Sequence, residues 1–430
     1  KRTGSDKWIF DETVFLRSNI TIVLDNCLLE MADDVYANFF RTDNIYREDG
    51  PFIEEEYHDI VITGVGSSVI DGVKANDLNE SVALTGDYPL STFNTPILLF
   101  NVRNFTIENF RIRNQRYWGV LLEYCKVGRV SNLYIEAYRD RRNQDGINLR
   151  NGCNNILVDN ISGQTGDDMI ALSAIDTELE EDKYKKYNGV IPDWDNDIHD
   201  VVIRNISGCA LGHPLVALRN SDGKKIYNIV IENVWDTPAN VSDYLEKFVR
   251  HTRYAMIRIG NNYYFKDRSS IMGETSNITI RNIFTRYSER AITINATLKN
   301  SRISDVHCTE NCGAALSINP IWAGEPGAKI ENLIVDGIFF SPNRTYDYDA
   351  PKFCKKGIAL DFNVQRSHDY IKNMVVNNIV VENAHHVASL SGDAQITIEH
   401  AIVDHLLEEP VYINPERRGE IICTYNGKEI

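Results

Sequence analysis

Two acidic motifs stand close together in the chain: Asn143-Gln144-Asp145-Gly146-Ile147 and Gly166-Asp167-Asp168-Met169-Ile170. From Asp145 to Asp167 is 22 residues. If the backbone returns to the same place after that interval, three carboxylates share one face. Like charges held together disfavour one another's ionisation, so at least one carboxyl is expected to keep its proton. A protonated carboxyl beside ionised ones suits cleavage of a glycosidic bond. One group protonates the leaving oxygen, and another activates water or attacks the sugar. The same residues also fit a calcium site, or the Asp and Asn turn residues of a repeating fold. Two further polar motifs follow, Gly212-His213-Pro214 and Ile257-Arg258-Ile259-Gly260. A single His or Arg is a weak signal, and these gain weight only from following the acidic motifs in order.

What brings such residues together is a repeat. A polar residue, usually Asn or Asp, opens a short run in which apolar and polar residues alternate. Examples are Asn19-Ile20-Thr21-Ile22, Asp59-Ile60-Val61-Ile62, Asn104-Phe105-Thr106-Ile107, Asn155-Ile156-Leu157-Val158 and Asp200-Val201-Val202-Ile203. The pattern continues with Asn228-Ile229-Val230-Ile231, Asn277-Ile278-Thr279-Ile280, Asn332-Leu333-Ile334-Val335, Asn373-Met374-Val375-Val376 and Gln395-Ile396-Thr397-Ile398. A degenerate copy, Arg129-Val130-Ser131-Asn132-Leu133, lies between the third and fourth. Period-two alternation in runs rich in β-branched residues predicts short strands with one buried face. Copies recur after 28 residues from Asp200 to Asn228 and after 22 from Asn373 to Gln395. Such a period predicts an all-β, right-handed, single-stranded parallel β-helix, in which each coil buries its apolar face only by stacking on the next. Residues one coil apart then lie about 4.8 Å apart along the axis. The Leu-x-x-Leu-x-Leu frame of leucine-rich repeats is missing, and hairpin signals are sparse. The chain is read as one domain over 1–430, with loops leaving the coil near 31–57, 174–197, 238–253 and 341–356.

Bulk composition narrows the function. The formal net charge of −16 argues against a general nucleic-acid binder, although a local basic cleft within an acidic protein can still take an acidic ligand. No run approaches the roughly 20 apolar residues that span a bilayer. None of the eight cysteines forms a C-x-x-C pair, so a structural zinc site is not expected; no other metal or cofactor is expected either. Cys308 and Cys312 are near enough for a disulfide, with buried free thiols as the plainer reading. The Asn-x-Ser/Thr triplets Asn19-Ile20-Thr21 and Asn205-Ile206-Ser207 read as strand-start turn asparagines rather than glycosylation sites.

The ordered motifs resemble glycoside hydrolase family 28, the polygalacturonase family of pectin-degrading enzymes, as a divergent member. That family carries Asn-Thr-Asp-Gly, Gly-Asp-Asp, Gly-His-Gly and Arg-Ile-Lys on successive coils of a right-handed parallel β-helix. Here the order reads Asn143-Gln144-Asp145-Gly146, Gly166-Asp167-Asp168, Gly212-His213-Pro214 and Arg258-Ile259-Gly260. Tyr117-Trp118-Gly119-Val120 and Ser18-Asn19-Ile20-Thr21 are also similar, and the likeness is densest over about 100–260. The resemblance implies Asp167 as general acid, and Asp145 with Asp168 as the pair that activates water in an inverting mechanism. It implies His213 as a residue tuning the acid and Arg258 as a grip on the substrate. Asn143, Arg142 and Trp118 join Arg258 as expected substrate contacts, with Trp118 stacking on a sugar ring. Two positions depart from the family: Pro214 follows the histidine, and Gly260 stands where lysine helps bind the galacturonate carboxylate. Arginines near the motifs, among them Arg116, Arg142, Arg150 and Arg219, offer a replacement cation for an acidic glycan. The insertions at 174–197 and 238–253 are expected to close one end of the groove and favour exo action. A carbohydrate partner implies a protein that works outside the cytoplasm, secreted, periplasmic or on the cell surface. The competing readings are a lyase or epimerase on the same fold, and a carbohydrate-binding β-helix without catalysis.

Overall fold

The computed structural model describes residues 7–45, 55–73, 94–137, 143–175, 191, 193–239, 255–260, 270–318, 328–342, 357–363 and 369–430. Strands dominate these residues, and no α-helix occurs among them. Among the described residues no helix is long and apolar enough to cross a membrane. The fold class is a right-handed parallel β-helix. Contacts divide the chain into two compact units, Lys1–Gly212 with Ala239–Arg250, and His213–Pro238 with His251–Ile430.

In the first unit, strands Tyr57–Val65, Val102–Arg113, Lys126–Glu136, Asn154–Thr165 and Ile198–Ala210 run parallel, each beside the next. Their register stacks Ile62, Ile107, Val130, Val158 and Ile203 into one column, all fully buried. The degenerate repeat keeps its place in this column. Gly128 stands where neighbouring coils have Phe105 and Ile156, and the Phe105 ring fills the space a side chain there would take. In the second unit, Ile231, Ile280, Ile303, Val335, Val376 and Ile398 form the corresponding column. Each buried aliphatic side chain contributes roughly 1.5–3 kcal/mol relative to exposure, so the column is the main source of coil-to-coil cohesion.

The recurrent asparagines are corner residues. Asn104 and Asn109, Asn155 and Asn160, Asn228 and Asn233, and Asn277 and Asn282 all have positive φ between 53° and 67°. Asn tolerates this left-handed region better than most residues, because its short side chain bonds locally. The side chains also bond from coil to coil. Asn132 donates to Asn109 at 2.9 Å and Asn160 to Asn132 at 2.7 Å; in the second unit Asn282 donates to Asn233 at 3.0 Å and Asn373 to Asn332 at 3.1 Å. Asn19 and Asn205, read as turn residues, have φ of 62° and 57°. Cys308 and Cys312 are free, buried thiols.

Candidate active site

The first unit carries a short, flat sheet built from Ile97–Phe100, Val120–Glu123, Ile147–Arg150 and Ile170–Ala174. Ile147 pairs with Ile170 on one side and Val120 on the other, so this coil is 23 residues long (147 to 170). The acidic motifs enter this sheet. Asp145 and Asp168 each lie two residues ahead of the paired isoleucines, and the ladder runs back through them: Gly146 N–H donates to Asp168 O at 3.0 Å, and Gly119 N–H to Asp145 O at 3.0 Å. The coil mate of Asp145 is thus Asp168, not Asp167. Asp167 sits one residue earlier, beside Gln144, whose carbonyl accepts from Gly166 N–H at 3.1 Å. Gly146 has a steric role here: a Cβ would lie 2.4 Å from Met169 O and 2.6 Å from Ile135 Cδ1.

Each carboxylate has a distinct setting. Asp145 is 3% exposed and accepts from Asn148 Nδ2 at 3.0 Å. Asp168 is fully buried. Asp167 is half-buried; its Oδ2 accepts from Asn143 N–H at 2.8 Å and its Oδ1 from Asp168 N–H at 2.9 Å. The Asn143 backbone, at a φ of +63°, thus holds the Asp167 carboxylate. Gln115 and Gln144 bind the turn from beneath: Gln115 Nε2 donates to Asp145 O at 3.3 Å, and Gln144 Nε2 to Gln115 O at 2.7 Å.

Past the acids, the sheet ends in residues whose importance sequence reading missed or left vague. Glu123 ends its strand at 1% exposure, and burial pushes its carboxyl up to about 8, with Arg150 pulling the other way. Both its oxygens are buried with no hydrogen-bond partner among the described residues. Arg150 ends the next strand at 3% exposure, its guanidinium 5.3 Å over the Trp118 ring. The signal for this pair was present: an acid closing the apolar run Val120-Leu121-Leu122, and a base at the same point of the next strand.

Trp118 lies in a buried cluster with Ile45, Leu98, Phe100, Leu121, Tyr124 and Ile191, against which Tyr117 and Trp194 pack. It is 7% exposed, with one face covered by Arg150. Leu98 and Leu121 pair one coil apart on the flat sheet and face this cluster. Ile191 and Trp194 come from the 174–197 insertion and lie against Tyr124: the Trp194 ring is edge-on at 5.0 Å, and Ile191 N–H donates to the Tyr124 hydroxyl at 2.9 Å. Ile191 and Trp194 thus pack beside the flat sheet, while 176–190 and 192 of the same insertion lie outside the described residues. Arg116 turns away, with Nε donating to Gly72 O at 3.2 Å and its guanidinium over Tyr36.

In the second unit, His213 is the first residue, half-buried, following Gly212 at φ +76°. Arg258 is half-buried between Ala217 and Thr293 in register. Gly260 has φ +88°, and a Cβ there would lie 2.3 Å from the Ala296 Cβ and 2.8 Å from its N. The backbone excludes any side chain at this position, so the missing lysine is a feature of the local fold and not a simple replacement. Arg142, the arginines at 250 and 253, and the loops over 240–254 and 343–356 lie outside the described residues.

Comparison with known proteins bears on this geometry. Residues 39–190 match the model of glycosyl hydrolases family 28. The resemblance to family 28 holds. That stretch contains both acidic motifs and the flat sheet. Polygalacturonase ADPG1 of Arabidopsis thaliana is 31% identical over 120 residues, a match spanning 28% of this chain and 28% of that relative's length. The family 28 exopolygalacturonase of Yersinia enterocolitica is similar in structure, with a TM-score of 0.51 and 14% identity over 97% of this chain and 73% of its own. A mutant tailspike protein of E. coli bacteriophage HK620, solved with a hexasaccharide, also has a TM-score of 0.51, at 11% identity over 94% of this chain and 70% of its own. At these identities the two structures share the fold alone.

Proposed function

We propose that the protein is a glycoside hydrolase that cleaves an acidic, pectic-type glycan with inversion. The observation that carries this reading is the pairing of Asp145 and Asp168 on adjacent coils, both almost wholly buried, with Asp167 beside them on two backbone donors. Folding alone does not reward stacking buried carboxylates, whereas hydrolysis uses them. Asp167 is the general acid and protonates the leaving oxygen as the bond to the anomeric carbon breaks. Asp145 and Asp168 take the proton of the water that attacks the opposite face. Asn143 and the Asp168 N–H hold the acid in position, and Asn148 orients Asp145. By motif order, His213 tunes the acid and Arg258 grips the sugar carboxylate. Trp118 serves through Arg150, holding a cation beside the flat sheet.

We also assign exo action. Tyr124, Ile191 and Trp194 pack beside Leu98 and Leu121 on the sheet, and on this reading they block one end of the groove, so that a chain end binds in preference to a continuing polymer. A polymeric glycan places the enzyme outside the cytoplasm.

The test is product chromatography on polygalacturonan, galacturonate oligomers, rhamnogalacturonan and neutral pectic side chains, with wild type against Asp167→Asn. The expected result is sugar release by wild type, with inverted anomeric configuration by NMR, and a loss of kcat of about 10²–10⁴-fold in the variant. Ultraviolet-absorbing unsaturated products would replace hydrolysis by elimination. Binding without release, unchanged in the variant, would make the protein a carbohydrate-binding module.

A further inference from the structure

In the second unit, far along the sequence from the acidic motifs, His386 opens strand His386–Asp404 with its ring fully buried. Its Nδ1 lies 2.7 Å from the backbone carbonyl of Glu409. A carbonyl only accepts, so Nδ1 carries the hydrogen and the neutral ring presents a lone pair on Nε2. That lone pair faces acceptors. Glu408 Oε2 lies 2.9 Å from Nε2, yet the two are not aligned as a hydrogen bond. One ligand atom each from His386, Glu408 and Glu409 fall within 4.8 Å of one another. His385 Nδ1 is 3.5 Å from the other Glu408 oxygen.

We infer that His386, Glu408 and Glu409 form a binding site for a zinc-like divalent cation. An ion about 2.0–2.1 Å from an imidazole nitrogen and about 2.0–2.2 Å from a carboxylate oxygen holds the two roughly 3.0–3.4 Å apart, with the oxygen off the ring-nitrogen axis. The 2.9 Å from Nε2 to Glu408 Oε2, off the hydrogen-bond direction, is close to that relation. Metal-binding histidines characteristically donate their other ring N–H to a carbonyl, which fixes tautomer and orientation, as Glu409 O does here. The ring is further held against Tyr412, at 5.3 Å and 25°. Backbone bonds tie the carboxylates' loop to the strand: Leu407 N–H donates to Ala384 O at 3.0 Å, and Glu408 N–H to His385 O at 3.3 Å. The Glu408 carboxylate stays 44% exposed, so the ion enters from solvent and keeps water on its remaining positions. One imidazole with two carboxylates suits zinc over calcium or magnesium, which prefer all-oxygen shells. The spaced Cys and His pairs that announce zinc sites are missing because these ligands come from two dipeptides one coil apart.

The test is calorimetric titration of the whole chelator-treated chain with zinc chloride, without glycan, so that the result is independent of hydrolysis. Wild type should bind one equivalent, and its Tm should rise with zinc. Glu408→Gln, at an exposed position, should fold normally by circular dichroism yet bind at least tenfold more weakly, and His386→Asn should lose binding. Calcium should give no saturable heat. No saturable zinc binding by wild type, or unchanged binding by Glu408→Gln, would overturn the site and leave a buried imidazolium–carboxylate ion pair.

Discussion

Burial keeps the Glu123 carboxyl neutral up to about pH 8, whereas an exposed glutamate ionises near 4.5. Below that lower value the group is protonated in both folded and unfolded chains. Between the two values the unfolded chain releases the proton and the folded one retains it, so stability falls as pH rises, by at most about 1.4 kcal/mol per unit. Above about 8 the contribution is constant. Glu123→Gln keeps the shape and removes the titration, so thermal unfolding from pH 5 to 8 should show a shallower decline than wild type; identical slopes would refute the assignment. Arg258 is a different case, because the residue is only half-buried and its proposed role is to bind substrate. Arg258→Ala should raise KM for acidic oligomers at least tenfold and change KM for neutral side chains little. Steady-state kinetics on the two substrate sets decides this, and equal changes on both would remove the charge-recognition role.

The strands themselves were largely legible, and the reason is the corner asparagine. A left-handed corner accepts few residue types, so Asn or Asp recurs at Asn104, Asn155, Asn228 and Asn277 and marks each strand start. The column residues follow by alternation, and even the weak copy at Arg129–Leu133 falls within Lys126–Glu136. The site was legible in its members and less so in its register. Counting from acid to acid gives 22 residues and pairs Asp145 with Asp167. The paired strands here are 23 apart, Ile147 to Ile170, and pair it with Asp168. Only the hydrogen-bonded ladder distinguishes these, since the turn ahead of Ile170 holds two consecutive acids. The setting of Trp118 was not legible either: its ring lies under Arg150, which the sequence cannot place. Gly260 carries a prediction at this scale. Gly260→Lys, which restores the family's residue, should lower Tm by several degrees without restoring tighter binding of galacturonate, because a Cβ meets Ala296 at a positive φ. A stable variant with improved KM would show that the corner yields.

Across the whole chain, 61 acidic residues outnumber 45 basic ones, yet the proposed ligand is itself acidic. Recognition must therefore be local, through individual guanidinium groups, and approach of substrate should speed up with added salt as long-range repulsion is screened. On the proposed exo action, the residues packed beside the flat sheet set how the substrate is cut. Trp194→Ala should open the groove, so that viscosity of a polymeric substrate falls earlier relative to reducing ends released; an unchanged ratio would take exo action away from these residues. The ladder through Asp145 and Asp168 has a consequence for how such a protein can evolve. A single-residue insertion between Ile147 and Asp168 would slide one acid past the other and turn each following side chain to the opposite face. Chain length can drift only beyond the strand ends, as in the stretch from Ile175 to Ile198, or by gain and loss of entire coils. Diversity among descendants of this sequence should then accumulate in the connections, while the acidic turns keep their separation.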